Sequence, residues 1–159
     1  MKYDFNADEI LQMAEQIEKN GAAFYRECAG NVKDPAAIDL LQNLAAMEDE
    51  HEKTFAGIRS QLLAQEKEST TFDPNGDAVL YLKALADTKV FFEKSIDTSN
   101  MEDILKAAIT AEKDSIVFYL GMKGLVPENL GIVRVDASIK EEMSHIKLLS
   151  NVLVNLKKA

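Results

Sequence analysis

The sequence contains two histidines, and each one ends the same short motif. Glu48 and His51 form one Glu-x-x-His, and Glu142 and His145 form a second, 94 positions further along the chain. In a helix, residues three positions apart lie on one face, one turn apart. Each motif can therefore direct a carboxylate and an imidazole at the same metal ion. Two such motifs that face each other would make a site for two ions.

The offset of 94 residues extends along most of the chain. It also pairs Glu18 with Glu112 and Tyr25 with Tyr119. Further identical pairs are Ile10/Ile104, Leu11/Leu105, Ala14/Ala108, Lys19/Lys113, Phe24/Phe118, Gly30/Gly124, Ile38/Ile132 and Lys53/Lys147. The repeated unit is a helical hairpin. Since one hairpin cannot cover its own apolar face, the repeat predicts an all-α four-helix bundle made of two packed hairpins.

The first repeat is predicted to contain two amphipathic helices. Asn6 or Asp8 would cap the first, which ends at Gly30 and Asn31, while Asp34 would cap the second with Pro35 as its first helical residue. The predicted inner faces are Ile10, Leu11, Ala14, Ile17, Glu18, Gly21, Ala22, Tyr25 and Cys28, then Ile38, Leu41, Leu44, Ala45, Glu48, His51, Phe55, Ile58 and Leu62. The glutamates and the histidine interrupt apolar stripes, where a solvated charge would not be placed.

The segment between the repeats is long enough to run back along a bundle. It is polar from about Glu66 and contains a turn at residues 73–76. A short helix is predicted from Asp77 to about Ala86, with Val79, Leu80, Leu82 and Leu85 as its apolar residues. Residues 90–92 are predicted to add another helical turn.

The second repeat is predicted to mirror the first. Ser99 would cap its first helix, with Asn100 as the alternative, and the residues from Gly121 to Pro127 would close it. Its second helix would begin between Pro127 and Gly131. The predicted inner faces are Ile104, Leu105, Ala108, Ala111, Glu112, Ser115, Ile116 and Tyr119, then Ile132, Val135, Ile139, Glu142, His145, Ile146, Leu149, Val152, Leu153 and Leu156.

Length and composition exclude several classes of protein. A chain of 159 residues fits one domain, with a net charge of −9 that disfavours binding to nucleic acid or to an anionic membrane surface. No apolar run is long enough for a membrane span, and no signal peptide is visible at the N-terminus. The single cysteine, Cys28, excludes an intramolecular disulfide and is assigned to the core. We therefore expect a cytoplasmic protein.

A lone Glu-x-x-His on a helix is most often a solvated surface feature. Here the motif is duplicated, lies within apolar stripes, and has a neighbouring glutamate at the same height: Glu18 beside Glu48, and Glu112 beside Glu142. Without metal, four carboxylates and two imidazoles would be buried together at great cost. Carboxylate and imidazole ligands without thiolates favour iron or manganese over a structural zinc site.

At these residues the chain resembles the rubrerythrin branch of the ferritin-like superfamily. The resemblance rests on Glu18-x6-Tyr25, Glu48-x2-His51, the crossover, Glu112-x6-Tyr119 and Glu142-x2-His145. It implies a ferritin-like bundle with two bound iron ions, manganese being the alternative. Glu48 and Glu142 would bridge both ions, Glu18 and Glu112 would be terminal ligands, and His51 and His145 would bind one ion each. Tyr25 and Tyr119 would reach ligand carboxylates on neighbouring helices, or would be core aromatics only.

The resemblance implies reaction with hydrogen peroxide or dioxygen, with electrons from a separate donor protein. Two departures weaken it: the chain lacks the Cys-x-x-Cys pairs of a rubredoxin-like domain, and Ser115 stands where many relatives carry a further carboxylate. The alternatives are a non-enzymatic iron-binding or iron-buffering protein and a di-manganese catalase. The long crossover also suggests a homodimer in which hairpins are exchanged. Met13, Met47, Met122 and Met143 are assigned to packing.

Overall fold

The computed structural model describes residues 7–62, 77, 80–82, 84, 96–124 and 128–159. Four long helices account for most of them: α1 (Ala7–Asn31), α2 (Pro35–Ser60), α3 (Met101–Met122) and α4 (Glu128–Lys158). The part of the chain that the structure describes contains no strand. The predicted all-α class is confirmed. None of the helices in these ranges is long and apolar enough to cross a membrane.

The start of α2 follows the prediction. Asp34 has extended backbone angles (φ −69°, ψ 121°), and its side chain accepts a hydrogen bond of 3.2 Å from the Ala37 amide. Pro35 occupies the first turn, where its missing N–H leaves no hydrogen bond unmade. Residues 32–34 are too few to do more than reverse the chain, so α1 and α2 form a hairpin.

The predicted cap of α3 is wrong by one residue. Asn100, the alternative, is the N-cap, and its side chain accepts a 3.2 Å hydrogen bond from the Asp103 amide. Ser99 instead belongs to the preceding turn, where its hydroxyl and its amide donate to Asp97 at 2.5 and 2.9 Å. Both residues can cap a helix, and the nearby carboxylate of Asp97 determines which one does.

Asp8 does not cap α1, because it lies within the first turn of the helix; Asn6 lies outside the described residues. The Asp8 carboxylate accepts a 2.9 Å hydrogen bond from Arg59 Nε near the end of α2, and Arg59 also binds Glu15 at 3.0 Å. These ion pairs join the open end of the first hairpin.

The crossover is described only in part. The described residues of the predicted short helix, 77, 80–82 and 84, are all helical. Leu82 is buried against Gly121 of α3, whereas Leu80 is exposed. Val79, Leu85, Ala86 and residues 90–92 lie outside the described residues.

The buried residues form two apolar clusters with a polar layer between them. One cluster surrounds Phe55 and includes Ile10, Leu11, Ala14, Ile17, Ile58, Leu82, Phe118, Tyr119, Met122, Val135 and Ile139. The other surrounds Leu41 and includes Tyr25, Cys28, Leu44, Ala45, Ile104, Leu105, Ala108 and Leu149. Along every long helix, the polar layer lies between residues of the first cluster and residues of the second.

Some predicted core residues lie at the surface. Leu156 is 42% exposed, because all side chains of α4 from residue 154 onwards are uncovered by the rest of the described chain. Of the methionines assigned to packing, Met122 is fully buried, but Met47 and Met143 are 44% and 53% exposed.

Candidate metal centre

The polar layer consists of four glutamates and two histidines, contributed by all four long helices. Each of the six is at most 4% exposed: Glu18, Glu48, His51, Glu112, Glu142 and His145. All six residues singled out in the sequence therefore come together. They do so because each hairpin has a short turn, which sets Glu18 level with Glu48 and Glu112 level with Glu142.

Ligand atoms of these residues form two overlapping groups of four, each with its atoms within 4.8 Å of one another. One group joins Glu18 and His51 to Glu48 and Glu142, and the other joins Glu112 and His145 to the same two glutamates. Glu48 and Glu142 belong to both groups. This is the relation expected of carboxylates that bridge two ions.

Several buried atoms in the layer make no hydrogen bond of normal geometry within the described chain, although the imidazole Nδ1 atoms lie 2.7 Å and 3.2 Å from carboxylate oxygens of the layer. They are Glu18 Oε2, Glu48 Oε1, His51 Nδ1, Glu112 Oε2, both carboxylate oxygens of Glu142, and His145 Nδ1. All seven belong to the six residues above. Buried polar atoms are rarely left unpaired, because desolvation without a partner is costly. A pair of divalent cations fits this donor set, since it would give the orphaned oxygens and nitrogens a partner and offset the carboxylate charge.

Without metal, the carboxylates strongly perturb one another. Burial raises the pKa of Glu48 well above its usual range, and the charges of Glu142 and Glu18 raise it further. Burial and the charge of Glu112 raise the pKa of Glu142 to about 8. Burial also acts to raise the pKa of Glu112, but contacts with Glu142 and His145 outweigh it and lower that pKa. Without metal, the layer would therefore hold protons at neutral pH in places that cations would otherwise take.

Burial acts on the pKa of the histidines in the opposite direction, but the neighbouring carboxylates outweigh it. Burial alone would lower the pKa of His51, but contacts with Glu142 and Glu18 outweigh it and raise the pKa to about 11. The same balance, with Glu112 and Glu142 as partners, raises the pKa of His145 to about 9. Metal binding at these nitrogens would displace protons.

Two fully buried tyrosines connect the hairpins through this layer. Tyr25 of α1 donates a 2.5 Å hydrogen bond to Glu112 of α3, and Tyr119 of α3 donates to Glu18 of α1. Burial, followed by nearby carboxylate charge, raises the pKa of both tyrosines well above the usual range, so each keeps its proton. The tyrosines are core aromatics and at the same time orient carboxylates.

The outer ring nitrogen of each histidine, Nε2, has a partner that the sequence did not predict. Glu141 places a carboxylate oxygen on His51 Nε2, and Met47 places its sulfur 3.2 Å from His145 Nε2. The imidazole rings stack with centroids 5.6 Å apart and planes 18° apart. Residues 47 and 141 are themselves related by the 94-residue offset, which could have drawn attention to them.

Ser115 is buried one turn after Glu112, on the predicted face. Its hydroxyl donates a 3.0 Å hydrogen bond to the Ala111 carbonyl oxygen. It adds no carboxylate to the layer.

A surface cavity of about 470 Å³ reaches the layer beside His145. Its lining residues are Met47, Glu50, Glu141, Ser144, His145 and Leu148. The cavity opens on the side of the outer histidine nitrogens.

Comparisons with known proteins agree with this arrangement. A family model described as Rubrerythrin matches residues 9–153, a range that contains all six residues of the polar layer. A ferritin-like fold is also present in a candidate diiron-carboxylate protein from Thermotoga maritima, whose crystal structure has a TM-score of 0.70 against this chain. The two proteins are 22% identical over 96% of this chain and 97% of the other. No curated protein matches the chain.

Proposed function

The chain belongs to the rubrerythrin family, and from that premise we propose that it is a di-iron redox protein that reacts with hydrogen peroxide or dioxygen. The observation that carries the proposal is a single buried layer in which seven oxygen and nitrogen atoms make no hydrogen bond of normal geometry within the described chain. Their division into two groups that share Glu48 and Glu142 supports two ions held by bridging carboxylates. Iron is the proposed metal, and manganese is the alternative for the same donor set.

In this proposal each residue of the layer has a definite role. Glu48 and Glu142 would hold both ions, Glu18 and His51 would complete one position, and Glu112 and His145 would complete the other. When bound, two ferrous ions would supply the two electrons that cleave an O–O bond. Tyr25 and Tyr119 hold the terminal carboxylates in one orientation through their hydroxyl protons.

The surroundings of the layer suit a small oxidant. The two apolar clusters exclude bulk water from both ends, which protects a reactive centre from side reactions. The cavity beside His145 offers a route for a molecule as small as hydrogen peroxide. In this proposal the electrons come from a separate donor; Cys28, the one cysteine of this sequence, is buried.

Ser115 favours a second candidate function. Because this position supplies a hydroxyl bonded to the backbone instead of a carboxylate, the described part of the chain offers the centre six ligand residues. Such a centre can bind and oxidise iron once without cycling. The alternative is therefore an iron-binding or iron-buffering protein without turnover.

Stopped-flow mixing of anaerobically loaded ferrous protein with hydrogen peroxide distinguishes the two. A peroxidase consumes one peroxide for every two ferrous ions oxidised, and continues when a reductant restores the ferrous state. A single oxidation followed by no further consumption in the presence of reductant would indicate the buffering protein. Release of dioxygen from peroxide by the manganese form would reveal catalase activity. A His51→Ala, His145→Ala double variant provides the control, because it retains the bundle's apolar clusters but lacks both imidazoles.

We also propose a homodimer in which the crossover carries one hairpin onto the neighbouring chain. The support is the length of the connection between Gln61 and Asn100. Light scattering of the purified protein at micromolar concentration should give twice the 17.6 kDa mass of the chain, and a monomer would exclude the exchange.

A further inference from the structure

Met47 and Glu141 occupy equivalent positions in the two repeats. Each directly precedes the glutamate of its Glu-x-x-His motif, and each side chain crosses to the histidine of the other hairpin. The two contacts are therefore related by the internal repeat. The chemical groups that make them are different.

At His51, the partner is a carboxylate. The inner nitrogen Nδ1 lies 2.7 Å from Glu142 and 3.5 Å from Glu18, so Nδ1 is the atom that faces a metal. The outer nitrogen Nε2 faces Glu141. With Nδ1 on a metal, Nε2 would carry the ring proton and donate a hydrogen bond to Glu141. A carboxylate in this place fixes the ring and makes the histidine a stronger ligand.

At His145, the partner is a thioether. Nδ1 lies 3.2 Å from Glu48 and 3.4 Å from Glu112, which again directs this nitrogen at a metal. Nε2 lies 3.2 Å from Met47 Sδ. A thioether sulfur is uncharged and a weak acceptor, so it strengthens the histidine far less than a carboxylate does. The cavity also opens beside this ring.

Besides Glu141, one further carboxylate lines this cavity, and it is engaged elsewhere. Glu50 lines the same cavity but forms an ion pair of 2.6 Å with Lys53, three residues along the same helix. Ser144, at the position equivalent to Glu50, donates its hydroxyl to the Lys140 carbonyl oxygen. The two histidines thus differ mainly in the partner of Nε2, which is Glu141 for His51 and Met47 for His145.

We propose that the two metal positions are unequal: Glu141 makes the position at His51 the tighter one, and Met47 leaves the ion at His145 exchangeable. This inference rests on the proposed binding of two ions by the six residues. Removing a carboxylate partner from a metal-bound histidine typically weakens binding about 10–100-fold. We expect the two positions to differ in affinity by a factor in that range.

The test is metal occupancy at each position, with manganese as the probe. Metal-free protein is given one equivalent of Mn²⁺ per chain and crystallised, and anomalous scattering gives the occupancy beside His51 and beside His145. We expect the larger occupancy beside His51. In the exchanged variant Met47→Glu, Glu141→Met, the preference should reverse. Calorimetric titration should show about a 10–100-fold loss in one binding step for Glu141→Met alone.

Two further variants control the experiment. Glu50→Met removes a carboxylate from the same cavity without touching a histidine, and should leave both occupancies unchanged. Glu141→Gln keeps the size of the side chain and removes its charge, so it replaces Glu141→Met if that variant does not fold. It should reduce the preference for the His51 position.

Equal occupancies in the parent protein would overturn the inference, and so would a preference that persists in the exchanged variant. Either result leaves the two-ion site intact. Absence of bound metal at both positions, with manganese and with ferrous iron added anaerobically, would instead overturn the proposed function together with the inference.

Discussion

Tyr25 and Glu112 lie in different hairpins, and the hydroxyl of Tyr25 donates a 2.5 Å hydrogen bond to the Glu112 carboxylate. Tyr119 and Glu18 make the reciprocal contact. Each hairpin therefore supplies a hydroxyl that donates a hydrogen bond to the glutamate on the first helix of the other hairpin. Both contacts are fully buried, so their loss would leave buried carboxylate oxygens without this donor.

Tyr25→Phe and Tyr119→Phe should each destabilise the metal-free protein by about 1–3 kcal/mol, because a buried carboxylate loses a hydrogen-bond donor. Metal content should stay at two ions per chain, since neither tyrosine is a proposed ligand. Urea unfolding and elemental analysis measure the two effects. Tyr81→Phe, at a tyrosine that is about half exposed, is the control. Unchanged stability in both buried variants would contradict the assignment.

Glu48→Ala and Glu142→Ala should each reduce metal binding at both positions, because each carboxylate belongs to both ligand groups. Glu18→Ala should weaken only the position at His51. Elemental analysis after dialysis should give fewer than one ion per chain for the Glu48→Ala, Glu142→Ala double variant. Glu52→Ala, which removes a carboxylate of the same helix that pairs with Lys19, should retain both ions. A double variant that still holds two ions would exclude bridging.

The stability of the metal-free protein should fall as pH rises from 6 to 8. The folded chain raises the pKa of Glu142 from its ordinary 4.5 to about 8, so the folded state holds a proton that the unfolded chain releases. That stabilisation is complete below pH 4.5 and is lost on approaching pH 8. The raised pKa values of His51, about 11, and His145, about 9, continue the fall above pH 6.5.

Bound metal replaces those protons, so the gain in melting temperature on metal loading should grow over the same interval, by about 5 °C or more. Thermal melts of chelated and loaded protein at pH 6, 7 and 8 measure it. The lowered pKa of Glu112 makes the stability rise with pH instead of fall, but only at pH values below this range. A gain that shrinks with rising pH would contradict the buried carboxylate layer.

Ser115→Glu should increase peroxide turnover with an external reductant, because it adds a carboxylate one turn after Glu112 on the face of the layer. Metal content should remain at two ions per chain. Ser115→Gln has nearly the same volume and no charge, so it separates the effect of the carboxylate from that of crowding. Melting curves of both variants report any loss of packing at this buried position. Equal turnover in well-folded Glu and Gln variants would show that Ser115 does not limit the reaction.

Gly131→Ala should lower the stability by about 1 kcal/mol, despite the better helix propensity of alanine. A Cβ atom at Gly131 would lie 3.0, 3.1 and 3.3 Å from three carbons of Ile58. Ile58 is fully buried and β-branched, so it has little freedom to move away. Gly57→Ala meets no atom within 4 Å and should instead raise the stability by up to about 1 kcal/mol. Urea unfolding of both variants measures the difference. If both substitutions raise the free energy of unfolding, α2 moves enough to accommodate the added Cβ atom, and the prediction is wrong.

The repeated motif and the apolar stripes were sufficient to predict the hairpins and to select six residues that now lie in one layer. Helical periodicity fixes which face a side chain occupies, and a short turn fixes its height, so these features follow from local rules. The contacts of Met47 and Glu141 do not. Their identities differ, which hides them from a search for matching residues, and their positions at the edge of the layer become meaningful only when the opposite hairpin is in place. The choice of Asn100 over Ser99 likewise depends on a neighbour, Asp97.

The division of the six residues between the hairpins has a consequence for folding kinetics. Contacts within each hairpin close across residues 32–34 or 123–127, so they are local and form early, whereas docking of the hairpins must close the loop between Gln61 and Asn100. Neither hairpin alone holds more than three of the six side chains. Metal ions that require all six will bind only after docking, and will then mainly slow the separation of the hairpins. The rate of unfolding, more than the rate of folding, should therefore respond to metal.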